Sequence, residues 1–560
     1  MTDDADFQSL TFDYVPHADQ RAAAPARRPV VIVGAGPVGL SLAVDLAQRD
    51  VPVVLLDNDH RLSTGSRAIC FAKRTLEIFD RLGCGDRMVA KGVSWNVGKV
   101  FLRDEELYRF DLLPDTGHER PAFVNLQQYY VEGYLAERAR ASPMIDLRWK
   151  NEVVATEPHA DHVTLTIATP DGEYRLEAGY LVACDGSRSA VRRHLGLESK
   201  GRTFRDRFLI ADVRMHHDAP AERWFWFDPP FHPNQSVLLH RQPDGVWRID
   251  FQLGWDADPD EERKPENIVP RVKALLAHSP VLKDSEFTLE WASVYTFSCQ
   301  RMERFRHGRV LFAGDAAHGV SPFGARGANS GVQDADNLGW KLAAVLRGQA
   351  PDALLDTYAR EREAAADENI RHSTRATDFI TPKSAASRLF RDAVLALART
   401  QPFARTLVNS GRLSTATTLH GSPLNTPDRD AFDGAMVPGA AAADARVARA
   451  DGRDDWLLRR LGDGFTALVG ADPVVEDALR GLDVNGFALT VLAIAPVPAR
   501  DVLVDPDGAV ARRYDLRPGS VVLLRPDAHV CARWRSPARA QVEAAMRRAL
   551  ALPEGAPPCP

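Results

Sequence analysis

Residues 30–57 read Val-Val-Ile-Val-Gly-Ala-Gly-Pro-Val-Gly-Leu-Ser-Leu-Ala-Val-Asp-Leu-Ala-Gln-Arg-Asp-Val-Pro-Val-Val-Leu-Leu-Asp. Val30–Val33 is a short apolar run rich in β-branched residues, which predicts a buried parallel strand. Gly34, Gly36 and Gly39 follow in G-x-G-x-x-G spacing. The first allows a tight turn, the second lets backbone approach a pyrophosphate, and the third lets a helix pack against the strand. Pro37 falls in the first helical turn, where its missing N–H is harmless. Leu40, Val44 and Ala47 continue an apolar helical face. A second strand over 51–56 ends in Asp57, whose carboxylate suits a ribose hydroxyl. Strand, helix, strand and terminal acid in this order predict a dinucleotide site. An acid at 57 favours an adenosine ribose without a 2′-phosphate, so FAD or NAD fits better than NADP.

The 560-residue chain has room for two to four domains. It is 45% hydrophobic and 26% charged, as globular proteins are. A net charge of −6 gives no argument for nucleic-acid binding. The six cysteines form no C-x-x-C pair and no Cys/His cluster with zinc spacing, so free thiols and no metal are expected. The acidic N-terminus lacks an apolar signal core, and no apolar run reaches membrane-spanning length. A cytoplasmic location is expected.

The chain divides by pattern. Residues 1–28, rich in Ala, Pro and Arg, predict an extended arm. Residues 29–204 carry the first part of the nucleotide domain. Residues 205–297 alternate in short segments, which predicts an antiparallel sheet interrupted by a helix near 267–277. Residues 298–410 return to the nucleotide domain and continue as helices. A Ser/Thr/Pro/Asp-rich linker covers 411–438, and a third unit covers 439–550. Near 183–193, Ser187 is expected to cap a short helix.

Three distant pieces carry a family resemblance. They are the opening βαβ unit, Ala183-Cys184-Asp185-Gly186-Ser187-Arg188-Ser189, and Gly314-Asp315-Ala316-Ala317-His318, the last running on to Asn329 and through Asp334, Asn337, Leu338 and Trp340. Together they resemble the FAD-dependent aromatic hydroxylases, single-component flavoprotein monooxygenases related to phenol hydroxylase. The resemblance implies a Rossmann-like α/β FAD-binding domain with an interleaved antiparallel substrate sheet, plus a C-terminal thioredoxin-like α/β domain. It implies FAD contacts at Gly34, Gly36, Pro37, Val38, Gly39 and Asp57. Arg67 would meet the pyrophosphate, and Gln128 (or its neighbour Gln127) the cofactor, with Glu132 a surface or capping residue. Asp185-Gly186 would serve FAD and the pyridine nucleotide, and Gly314-Asp315 the ribityl chain. The turn through Pro322, Gly324, Gly327, Ala328 and Asn329 would pass beside the flavin ring. There backbone N–H groups can stabilise negative charge on the reduced ring. The chain holds one βαβ fingerprint, so NADH or NADPH would dock transiently near the flavin.

The implied reaction reduces FAD with NAD(P)H and passes oxygen from O2, through a flavin C4a-hydroperoxide, to a phenolic ring. Tyr295 matches a family tyrosine that hydrogen-bonds the substrate hydroxyl, and as a strand residue it fits a core role equally well. Tyr295 and Pro322 are the catalytic candidates. Trp224, Trp226, His240, Arg248 and Asp250 are candidates for the substrate pocket. Trp-Phe-Trp-Phe-Asp-Pro at 224–229 is similar to the Trp-x-Trp-x-Ile-Pro of flavin-dependent halogenases, with Asp228 in place of isoleucine. A halogenase, a FAD oxidase or dehydrogenase, and an idle flavoprotein scaffold are the alternatives. The third unit lacks C-x-x-C, so a structural role, or support of a homodimer, is expected in place of thiol chemistry.

Overall fold

The run Val30–Val33 ends strand β1 (Ala26–Val33) and is buried throughout. Gly34 turns the chain at φ +105°, and Pro37 opens helix α1 (Pro37–Gln48). The return strand β2 (Val53–Leu56) pairs with β1 in parallel. The computed structural model describes residues 7–63, 68–283, 285–408, 413–499 and 501–553. Next come β3 (Cys70–Ala72), α2 (Lys73–Arg81), β4 (Val97–Leu102), α3 (Gln128–Arg140), β5 (Ile145–Arg148), β6 (Gly172–Ala183) and the one-turn helix α4 (Ala190–His194). The cap of α4 is Ser189, which accepts the N–H of Arg192, rather than Ser187. The described part of the N-terminal arm is docked on the nucleotide domain. Phe7 packs edge-on against Tyr130 and Tyr134, and Phe12 stacks on Trp149 at 4.3 Å.

Five antiparallel strands follow, β7 (Arg207–Arg214), β8 (Arg223–Phe227), β9 (Ser236–Arg241), β10 (Val246–Leu253) and β11 (Thr288–Tyr295), with helix α5 (Pro265–His278) between the last two. The sheet order is β11-β7-β10-β9-β8-β4, closed by strand Glu105–Asp111. Residues 97–111 therefore belong to this sheet, although the sequence reading assigns them to the nucleotide domain. Helix α5 covers one face through Ile268, Val272, Leu275 and Leu276. The chain then re-enters the nucleotide domain with β12 (Val310–Phe312), α6 (Gly327–Leu346) and α7 (Leu354–Ile380). β12-β6-β1-β2-β5 run parallel. This is a doubly wound sheet with its loops gathered at the carboxyl ends of the strands, where such sheets bind ligands.

The third unit contains β13 (Thr466–Gly470), α8 (Pro473–Leu479), β14 (Thr490–Ala495), α9 (Ala509–Tyr514), β15 (Val521–Leu524), β16 (Val530–Trp534) and α10 (Arg539–Ala549). β13 and β14 pair in parallel across α8, and β15 and β16 pair antiparallel beside β13. This unit docks on α6: Trp340 and Ala344 share an apolar cluster with Phe465, Leu479 and Met546.

Candidate active site

The nucleotide cradle is built from backbone. A Cβ at Gly34 would lie 2.9 Å from the Asp185 nitrogen, and one at Gly39 would run into the Gly34 carbonyl. A Cβ at Gly314 would meet Val38 at 2.9 Å. The three motifs are thus pressed together where a side chain would hold them apart. Gly36, by contrast, faces open space. Helix α1 starts there with no side-chain cap and no acid in its first turn. Its leading N–H groups suit a phosphate. Asp57 accepts the N–H groups of Ala35 (2.6 Å) and Asp59 (2.8 Å), and burial pushes its carboxyl up. Asp185 accepts the Val191 N–H through Oδ2 at 3.1 Å, while its buried Oδ1 has no partner among the described residues. Gly186 beside it turns at φ +74°. Anion-ready backbone and carboxylates with spare lone pairs fit a dinucleotide such as FAD.

Gln128 accepts the Ala68 N–H (3.0 Å) and donates to Glu132 (2.8 Å), which in turn accepts the Ser63 N–H (2.7 Å). Glu132 is 4% exposed and so is no surface residue. The pair thus binds the backbone at Ser63 and at Ala68; Arg67 lies outside the described residues. Gln127 turns the other way and donates to the Pro243 carbonyl at 3.3 Å.

Gly314 turns at φ +61° and donates its N–H to Asp334 at 3.0 Å. Asp334 also takes His318 and Arg362, each at 2.6 Å. Burial pushes its carboxyl up, but these two partners outweigh it and hold the group low. Asp315 sits exposed on this turn. Pro322–Gly324 form one 3-10 turn, and Ala325 is left-handed at φ +51°. Helix α6 then begins at Gly327 without a side-chain cap, with Ala328 and Asn329 in its first turn. Asn329 accepts the Ala72 N–H (2.8 Å) and donates to the carbonyls of Cys70 (2.8 Å) and Ala325 (2.6 Å). Its side chain is committed to protein backbone, and it stitches the loop to β3.

The sheet beyond this loop has two unlike faces. Alternation sends Trp224 and Trp226 toward α5, among Leu209, Ile249 and Phe251. Trp224 donates to Glu222 at 2.8 Å, and Trp226 stacks on Phe101 at 5.1 Å. The pocket role expected of the two tryptophans is corrected: they are core on the far side. The same parity sends Arg223, Phe225 and Phe227 to the loop side, and Arg223 donates to the Phe323 carbonyl at 3.0 Å. Sequence reasoning missed Arg223 because it followed the tryptophans, though strand parity pointed to it.

Register lines up the loop-side residues. Asp212, Arg248, His240 and Arg223 form one cross-strand row, and Ile210, Asp250 and Leu238 the next. Tyr295 pairs with Phe208, whose ring packs on Phe323 at 4.7 Å. Arg248 meets Asp212 with two bonds of 2.8 Å. Burial, aided by Arg223 and Arg248, keeps His240 well below its ordinary value. Burial and Asp250 keep the Tyr295 hydroxyl well above its own. Burial pushes Asp250 up to about 6, against the pull of Arg248. Cys70 on β3 lies 3.9 Å from His240, and burial pushes its thiol up to about 11. His240, Arg248, Asp250 and Tyr295 are therefore gathered opposite the Pro322–Gly327 loop. A flat ring held there would have polar groups on one side and backbone on the other.

The FAD binding domain family matches residues 27–373. The 6-methylpretetramide 4-monooxygenase of Streptomyces rimosus is 32% identical over 553 residues, covering 94% of this chain and 95% of that protein. The 3-(3-hydroxy-phenyl)propionate/3-hydroxycinnamic acid hydroxylase of Mycobacterium sp. (strain KMS) is 30% identical over 556 residues, covering 94% and 92%. Among solved structures, the flavin-dependent monooxygenase PieE in complex with FAD and substrate superposes with a TM-score of 0.77 at 26% identity, over 95% of this chain and 100% of that one. A ternary complex of aklavinone-11 hydroxylase with FAD and aklavinone gives 0.73 at 25% identity, over 94% and 100%.

Proposed function

This chain belongs to the FAD binding domain family and is a FAD-dependent aromatic monooxygenase; on that premise we propose that it uses NADH or NADPH and O2 to hydroxylate a phenolic ring held against the loop side of the seven-stranded sheet. One oxygen atom enters the ring and the other leaves as water, while the nicotinamide supplies the two electrons. Bound FAD supplies hydride acceptance and oxygen activation.

The protein's part is position, dryness and charge. Backbone at Gly36 and Asp57 would hold the adenosine half, with Asp185 and Asp315 reaching sugar and ribityl hydroxyls. The start of α6, free of acids in its first turn, would favour electron density on the nearby ring edge. Tyr295 stays a hydroxyl at any working pH, so it can donate to or accept from a substrate oxygen. Pro322 and Gly324 give the ring a flat neighbour.

The observation that carries this reading is the pairing of the Asn329-stitched loop with a sheet face bearing buried ionisable groups. Among the described residues no contact favours the halogenase alternative, since Trp224 and Trp226 lie in the opposite core. The strand order β14-β13-β15-β16 supports a thioredoxin-like reading of the third unit. Residues 471–475 at the head of α8, Ala-Asp-Pro-Val-Val, hold no thiol, which supports a structural role. No helix among the described residues is long and apolar enough to cross a membrane. The five described cysteines are free, which fits a reducing cytoplasm.

The test is a panel of phenols, including 3-hydroxycinnamate, scored for both nicotinamide oxidation and hydroxylated product. Product formed with the purified yellow protein supports the reading. Nicotinamide oxidation that yields only hydrogen peroxide with every phenol contradicts it.

A further inference from the structure

Asp250 is 9% exposed, its carboxylate accepts no hydrogen bond from a described residue, and its oxygens are not among the fully enclosed polar atoms, so they keep some access. Buried polar groups are nearly always paired. Its strand neighbour shows the ordinary solution: Arg248 and Asp212 close a bidentate pair. Arg223 is the complementary oddity. It is 4% exposed, its bond goes to the Phe323 carbonyl, and it has no acidic partner among the described residues. Burial alone lowers its affinity for its proton, and Asp250 is one of the groups that offset this, so the two charges sense one another. Across the sheet Asp250 pairs with Ile210 and Leu238, and strand parity puts it on the loop side with Arg248 and Asp212.

Resting on the monooxygenase reading above, we propose that Asp250 is the base that takes the phenolic proton of the substrate, and that Arg223 holds the oxygen left behind. The substrate O–H bond breaks, its electron pair stays on oxygen, and the proton goes to an Asp250 oxygen. The phenolate ring is then electron-rich enough to accept an oxygen atom at carbon. When the ring regains aromaticity, Asp250 returns the proton to the former phenol oxygen. The proton on the attacked carbon leaves with the second oxygen atom as water.

The other groups facing this space are poor bases. Asp212 is committed to Arg248. Burial and the two arginines keep His240 neutral, and burial keeps Tyr295 and Cys70 protonated. A carboxyl poised near 6 is a far better proton acceptor at neutral pH than an ordinary aspartate.

The test uses FAD-loaded wild type, Asp250→Asn and Asp250→Glu, with 3-hydroxycinnamate and ring-fluorinated analogues that ionise more easily. Wild type should lose product formation as pH falls through about 6. Asp250→Asn should keep FAD but make product about 100-fold more slowly, without that acidic limb. Asp250→Glu should retain the limb, and the fluorinated phenols should recover at least about tenfold in the Asn variant. An Asn variant within about threefold of wild type, or one equally slow with both phenols, overturns the proposal. Should that variant lose FAD, wild type decides alone: the limb must vanish for a phenol already ionised at pH 6, and its persistence overturns the assignment. Failure of the underlying reading looks different, because wild type then hydroxylates no phenol, and the assignment falls with it.

Discussion

Two buried clusters of charge sit in this molecule, and they are finished to different degrees. The first joins the third unit to the nucleotide domain. Glu361 accepts Arg525 at 2.6 Å, Lys341 at 2.6 Å and Asn337 at 2.7 Å, while Asp527 accepts Arg525 at 2.6 Å and Asn337 at 3.1 Å. Each charge there meets its opposite. The second is the loop-side face of the sheet, where Arg248 and Asp212 are paired but, among the described residues, neither Asp250 nor Arg223 has an ion-pair partner. A closed network is mortar between domains, whereas an open one is completed by something that arrives. The contrast separates structure from site without reference to sequence position.

The largest effect expected is on the closed cluster. Glu361→Gln leaves Arg525 and Lys341 buried with too little negative charge and should cost about 3–5 kcal/mol, read as a lower denaturant midpoint at pH 8. Burial pushes the Glu361 carboxyl up, but Arg525 and Lys341 more than offset that and hold it low. The folded state therefore binds fewer protons than the unfolded one. The contribution is present above the unfolded value of 4.5, and it fades as pH falls below it, so the gap between variant and wild type should narrow in acid.

Asp250→Asn should move stability the other way. Its folded carboxyl is raised from 3.8 to about 6, so the folded state binds more protons across that window. Stability is lost as pH rises through it, and wild type carries the full penalty at pH 8. Removing the charge should gain up to about 3 kcal/mol at pH 8, taking about 1.4 kcal/mol per pK unit, and nothing below about pH 4. A variant that is more stable but catalytically poor would mark Asp250 as a site residue. A destabilised one would put it with Glu361.

Asn329→Ala lies between the two. It strands the Ala72 N–H and frees the loop from β3. A loss of about 1–3 kcal/mol is expected, with faster FAD release followed by flavin fluorescence. The smallest effect belongs to the far face of the sheet. Trp224→Phe should cost about 1 kcal/mol by calorimetry and leave kcat and KM unchanged. A changed KM would break the division of the sheet into a core face and a site face.

Much of the nucleotide domain was legible because its chemistry is local. Strand, glycine turn, helix and acid lie within 28 residues, and two of the three glycines answer a contact seen in the structure: Gly34 against Cys184 and Asp185, and Gly39 against the Gly34 carbonyl. The sheet was legible as alternation but ambiguous in parity. Trp224 and Trp226 drew the eye as pocket residues, yet Ile268, Val272 and Leu275 of α5 need an apolar partner and take that face. Arg223 follows only once that is known. Glu132 was misplaced because its partner Ser63 lies 69 residues away. The closed cluster was silent in the sequence for the same reason: Glu361 and Arg525 are 164 residues apart. Phe7 likewise gives no local hint that it fills the space beside Gly133.

The most direct test of the two-faced sheet is a crystal structure of the FAD-loaded enzyme with 3-hydroxycinnamate or another phenol that it hydroxylates. The ring should lie between the Pro322–Gly327 loop and the sheet, with its hydroxyl oxygen about 2.6–3.2 Å from both the Asp250 carboxylate and the Arg223 guanidinium. A phenol bound on the Trp224 side, or one whose hydroxyl meets neither group, would contradict the account.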